Sequence, residues 1–342
     1  MLRHRFLIAS ALLLPTGQSR RPAGTVIVTN MNDHTATLLD AGSGTVLATL
    51  STGEAPHEVA VSHDGRWAVV SNYGVRERPG TTLSVIDLDS LKVTRTIDLS
   101  PHRRPHGMAF LPGDSLLAVT SEASQAVLLV AFRDGRVASV VPTAGRASHM
   151  VALPSDGAPV AWTANIADGT VSRLQLDQPG TPRVTPVARQ PEGIAVSPDG
   201  SAVWVGSNGD KIVVVLDAAT GQPVDTLSGF GMPYRIAVTP DGRTAVVTDP
   251  VKAEVRIVDA KTREQRFLLS IPPDSLVATA EVPGSASPEG VTVSRDSRWA
   301  FVTLQGRNRV IAVDLSDGRI AWTGITGTWS DGVGYSSRAR RP

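Results

Sequence analysis

Six times along the chain a proline or serine, a polar residue, a run of alternating apolar residues and an Asp/Gly turn recur in the same order. A repeat of this kind dictates the fold before any local feature does. The units open at Pro56, Pro105, Ser148, Pro191, Pro233 and Pro288, at intervals of 49, 43, 43, 42 and 55 residues. A seventh opening, Ser330-Asp-Gly-Val-Gly-Tyr335, comes 42 residues after the sixth and is followed by too few residues for a full unit. The strands it lacks stand at the other end, in residues 25–30, 35–40 and 45–50. Joining the two ends predicts an all-β ring: a seven-bladed β-propeller with four antiparallel strands per blade, closed by a C-terminal strand that pairs with the N-terminal blade. Asp64-Gly65, Asp156-Gly157, Asp199-Gly200 and Asp241-Gly242 supply the turns between first and second strands, where positive φ is needed.

Further matching segments are Val26-Ile-Val-Thr-Asn30, Val70-Ser-Asn72, Ser84-Val-Ile-Asp87, Val214-Val-Leu-Asp217, Arg256-Ile-Val-Asp259 and Ile311-Ala-Val-Asp314. On these segments and the Asp-Gly turns, the chain from about residue 25 to 335 resembles the YVTN-repeat family of seven-bladed propellers. More distantly it is similar to lactonase-type seven-bladed propellers. Ala131, Gln175 and Leu304 depart from the repeat pattern. The resemblance implies a fold and not one function, because propellers host unrelated activities.

Aligning Asn72, Asn165, Asn208 and Leu304 as strand ends puts Trp67 and Trp299 five residues before that point, Trp162 three and Trp204 four. Alternate residues share a strand face, so Trp204 is expected to point opposite to the other three, with all four in the core.

Composition narrows the functional classes. There is no cysteine, which excludes thiolate catalysis, disulfides, c-type haem attachment and cysteine-held iron–sulfur clusters. With 33 Lys+Arg against 32 Asp+Glu, and only 6 Trp, 6 Phe and 3 Tyr, the chain offers neither a basic stripe nor stacking rings for nucleic acid. A basic start, a nine-residue largely apolar run from Phe6 to Leu14 and small residues to Ser19 read as a cleavable signal peptide over residues 1–19. That run is too short for an integral membrane span. The expected organisation is a leader, a single propeller over 20–337 and a basic tail over 338–342, with a periplasmic or secreted, monomeric product.

In a four-stranded blade, the residue leading into the innermost strand faces the channel mouth. Around the ring these residues are His57, His106, His149, Glu192, Tyr234, Glu289 and Asp331. His34 and His102 fall on the same predicted face. Three imidazoles on consecutive blades followed by a carboxylate make His57, His106, His149 and Glu192 a candidate site for a divalent transition metal. Arg76, Arg78, Arg103, Arg104 and Arg146 gather nearby, and guanidinium groups bind carboxylates or phosphates in pairs. Asp249 joins Glu192, Glu289 and Asp331 in an acidic half. Two insertions, residues 73–81 and 271–287, interrupt the repeat and are candidate places for specificity or partner docking.

Neither a Gly-x-Ser-x-Gly elbow nor a phosphate loop occurs. The leading expectation is an exported binding or scaffold protein that holds a small ligand or protein partner at the mouth. The alternative is a hydrolase, lactonase or lyase acting on a small anionic substrate, either metal-dependent or with His106 or His149 as general base, Glu122 or Glu192 assisting, and Arg103, Arg104 or Arg146 binding substrate.

Overall fold

A computed structural model describes residues 21–274, 276–277 and 280–338. The leader expected over residues 1–19 and most of the basic tail lie outside the described residues. Twenty-eight strands, numbered β1 to β28 in chain order, form seven separate sheets of four antiparallel strands. β1 (Thr25–Asn30), β2 (Thr35–Asp40) and β3 (Val46–Ser51) share a sheet with β28 (Ser330–Ser336), in the order β28-β1-β2-β3. Thr25 pairs with Ser336 and Val28 with Val333, so the two ends close the ring as expected.

The innermost strands of the other six blades are β4 (Pro56–Val61), β8 (Pro105–Phe110), β12 (Ser148–Ala152), β16 (Pro191–Val196), β20 (Ile236–Val238) and β24 (Pro288–Val293). Each blade is apolar on both faces because both are covered by neighbours, and seven apolar clusters fill the seven interfaces. Between the second and third blades, for example, Val69, Val85 and Leu83 meet Leu117, Val119, Leu128 and Phe132.

The tryptophans correct one expectation. Trp67, Trp162, Trp204 and Trp299 all pack toward the following blade. Ser207, not Asn208, ends its strand and pairs with Pro191, as Asn165 pairs with Ser148. The alignment on Asn208 was therefore one residue out, and in a strand a one-residue slip exchanges the two faces.

Two repeat features place the mouth residues. The glycine of Pro-x-Gly lets the next blade approach: a Cβ on Gly107 would stand 2.7 Å from Val151 N, and one on Gly290 2.2 Å from Asp331 O. A second-strand threonine then clasps the incoming backbone. Thr29, Thr120, Thr248 and Thr303 donate Oγ1–H to the carbonyls of His57, His149, Glu289 and Asp331, at 2.7, 2.6, 2.7 and 2.7 Å.

Candidate functional site

The mouth residues converge, and their sequence signal is position in the repeat. His106 is fully buried between His57 and His149, with ring centroids 4.3 Å from the first and 3.5 Å from the second. Among the described residues, neither ring nitrogen of His106 has a hydrogen-bond partner. Burial, and then the charges of His149 and His57, push its pKa well below the ordinary value, so the ring is neutral.

His149 is held on both sides. Its Nδ1 meets Glu122 and its Nε2 lies 2.7 Å from Glu192 Oε1. Burial alone would discharge the ring, but Glu192 and Glu122 reverse this and raise its pKa to about 9. Glu192 is the counterpart: burial would raise it, whereas His149 and Arg235 bring it down to about 2. Tyr73 donates its hydroxyl to Glu122 Oε2 at 2.6 Å, and Arg104 lies 4.9 Å over the Tyr73 ring. His57 Nδ1 touches an Asp331 carboxylate oxygen as an ion pair, at an angle that leaves both atoms outside hydrogen-bond geometry. Burial lowers the His57 pKa, and Asp331 overturns that to raise it.

Opposite the histidines, Arg235 crosses the channel. Its Nε and a terminal nitrogen reach Glu58 Oε1 at 3.0 and 2.7 Å, and its other terminal nitrogen reaches Glu192 Oε1 at 2.7 Å. One guanidinium thus ties the sixth blade to the second and the fifth. The Glu289 carboxyl is nearly inaccessible, and burial followed by the charges of Asp331 and Glu281 raises its pKa well above the carboxylate range. Gln305 Nε2 donates to Glu289 at 3.2 Å, while its Oε1 accepts from the Glu281 backbone at 2.7 Å. Burial, then Asp331, also raises Glu281, which brings part of the 271–287 insertion into the field of the mouth.

No protein-family model and no curated protein matches the chain. Solved structures do match it. A functionally unknown protein from Desulfotomaculum acetoxidans DSM 771 superposes with TM-score 0.74 at 14% identity, over 92% of this chain and 99% of that one. Kuenenia stuttgartiensis hydrazine synthase superposes with TM-score 0.70 at 16% identity, over 90% of this chain and 99% of that one. At such identities the likeness establishes the seven-bladed propeller and nothing finer.

The residues singled out in the sequence separate into two groups. His57, His106, His149, Glu122, Glu192, Glu289 and Asp331 are brought together through the contacts above, and buried Tyr234 stacks against the Arg235 guanidinium at 4.3 Å. Of the five arginines singled out, Arg104 alone touches this network among the described residues, and Arg76 is exposed. Arg103 is exposed, Arg146 is spent on Asp168 (Nε to Oδ1, 2.6 Å) and Arg78 on Glu54. Asp249 is also spent, accepting the backbone N–H groups of Gly231 and Met232. His34 Nδ1 accepts from Ala55 N at 3.0 Å, and His102 bonds Ser124. Both support loops.

Three contributors escaped the sequence reading: Tyr73, Glu58 and Arg235. The last two carried a signal. Four repeat units have glycine at their third position (Gly107, Gly193, Gly290, Gly332), whereas Glu58 and Arg235 replace it with opposite charges. Those two charges pair across the channel.

The donors that can hold a metal fall into two sets: His57, Glu58 and His106, and His106, Glu122 and His149. Within each, the ligand atoms lie within 4.8 Å of one another. Glu192 belongs to neither set among the described residues.

Proposed function

We propose that this is an exported YVTN-type propeller that binds a divalent transition metal at its channel mouth. The observation that carries the reading is His106, a fully buried imidazole with both nitrogens unpartnered and carboxylates and imidazoles within ligand distance. Buried polar side chains ordinarily have partners, so a bare one points to a missing ligand. Neutral imidazole with carboxylate suits zinc, copper, iron, nickel or manganese. Binding would displace the proton shared between His149 and Glu122, since metal ligands must be deprotonated. Rigid strands, clasped at the carbonyls of His57 and His149, give the fixed geometry such a site needs. The leader over residues 1–19 supports export, and the closed ring supports a monomer.

A second reading, acid–base hydrolysis or lyase chemistry on a small anion, draws support from the Tyr73–Glu122–His149–Glu192 chain, which holds one imidazole in fixed orientation with Arg104 beside it. Elemental analysis decides the first reading. Protein purified from an export host without a metal-binding tag is expected to carry at least one equivalent of a transition metal. A metal-free protein that still takes up none after incubation and desalting overturns it, and leaves the acid–base reading to be tested with His149→Gln.

A further inference from the structure

His106 stands between two donor sets and belongs to both. His57 and His149 share neither set, and their ring centroids are 6.5 Å apart on either side of it. The two outer histidines each have a carboxylate in contact besides those in the sets: Asp331 against His57 Nδ1, and Glu192 2.7 Å from His149 Nε2. That is the usual arrangement of a metal-bound imidazole, in which one nitrogen meets the ion and the other is oriented by a carboxylate or carbonyl. Among the described residues His106, of the three histidines, lacks any such partner on either nitrogen. A single ion would use one of those nitrogens and leave the other buried and unpaired.

Resting on the metal-binding reading above, we propose that the mouth holds two divalent transition-metal ions bridged by His106, one completed by His57 and Glu58 and the other by Glu122 and His149. The bridge is an imidazolate. Neutral His106 binds the first ion through the lone pair of its unprotonated nitrogen. Filling the Glu122–His149 set also sends to water the proton those two share, which frees the His149 lone pair; as the second ion arrives the remaining N–H proton of His106 passes to water, and the electron pair left on that nitrogen forms the second bond from His106 to metal. No oxidation state changes. Four carboxylates, Glu58, Glu122, Glu192 and Asp331, lie in or against the two sets and offset the added charge.

The test uses the full chain, stripped with chelator, loaded with copper(II), desalted, and measured for metal content and for its low-temperature electron paramagnetic resonance. The expected result is two equivalents of copper with the ordinary mononuclear signal largely lost, because the two spins couple through the shared ring. His57→Gln and His149→Gln should each reduce the content to one equivalent and restore an uncoupled signal. One equivalent in the unaltered protein, or two with a full uncoupled signal, overturns the bridge while metal binding stands. No bound copper overturns the metal-binding reading and the bridge with it. The unaltered protein alone distinguishes these results, so the test does not depend on the variants folding.

Discussion

The two ends of the ring treat polar groups differently. At the end away from the mouth, a hydroxyl and an aspartate form the same closed device in four blades: Ser62–Asp64, Ser197–Asp199, Thr239–Asp241 and Ser294–Asp296, at 2.6, 2.6, 2.6 and 2.5 Å. In each, the same hydroxyl also accepts the backbone N–H that opens the second strand, from Trp67, Ala202, Thr244 and Trp299. The hydroxyl of each device is thus answered within its own turn. At the mouth, bonds run between blades, and His106 and the Asp331 oxygens are left without hydrogen bonds. Repetition therefore accounts for the hydroxyl–aspartate devices, while the mouth is built by contacts between blades that the repeat does not supply.

This contrast can be broken in five ways, taken in order of expected effect. Deleting residues 330–342 removes the closing strand from both ends at once and should abolish cooperative unfolding of the whole ring. A truncated protein that melts like the intact one, followed by circular dichroism, would refute closure. Arg235→Met should cost about 3–5 kcal/mol, because it leaves Glu58 buried without its cation and Glu192 with His149 alone; denaturant titration measures it, and near-neutrality would mean the strut carries no stability.

His106→Leu should be the opposite case. The ring makes no hydrogen bond, so an apolar side chain in its place should leave the melting temperature unchanged or raised while metal uptake is lost, the trade expected where a group serves binding at the expense of stability. Destabilisation comparable to Arg235→Met would show that His106 is structural. At the other end, Ser62→Ala should cost about 1 kcal/mol through its two lost bonds, with metal content untouched.

A fifth effect, outside that order, is that of pH on the metal-free protein. The folded-state pKa of His149 is raised to about 9 from 6.5, so its contribution is fully present below 6.5 and lost as pH rises through 9. Glu192, lowered to about 2 from 4.5, contributes fully above 4.5 and loses its effect as pH falls through 2. Thermal melts should be highest between those limits, and His149→Gln should flatten the alkaline side. An alkaline slope that persists in the variant assigns it elsewhere.

The ring was legible because the period, the turn residues and the alternation agree, and each is a local property of the chain. The mouth was legible for the same reason: His57, His106, His149, Glu192, Glu289 and Asp331 share one slot in the repeat. What sequence could not supply was distance across the channel. It grouped three histidines with Glu192, whereas the structure divides the donors about His106 and brings in Glu58. It treated five arginines alike, although Arg146 has its own aspartate and only Arg104 reaches Tyr73. Ion-pair choice depends on which loop lies beside which, and no period encodes it. The misplaced Trp204 had a smaller cause, an asparagine one residue beyond the strand end that mimicked its repeat neighbours.

The strand that closes the ring also carries Asp331, the carboxylate against His57. A strand late in the chain thus completes a site whose first histidine lies 274 positions earlier, from His57 to Asp331. Until they arrive, the first blade lacks its inner strand and His57 lacks its acid. Chain order therefore sets an order of assembly: a chain synthesised only as far as the seventh blade cannot present the whole mouth.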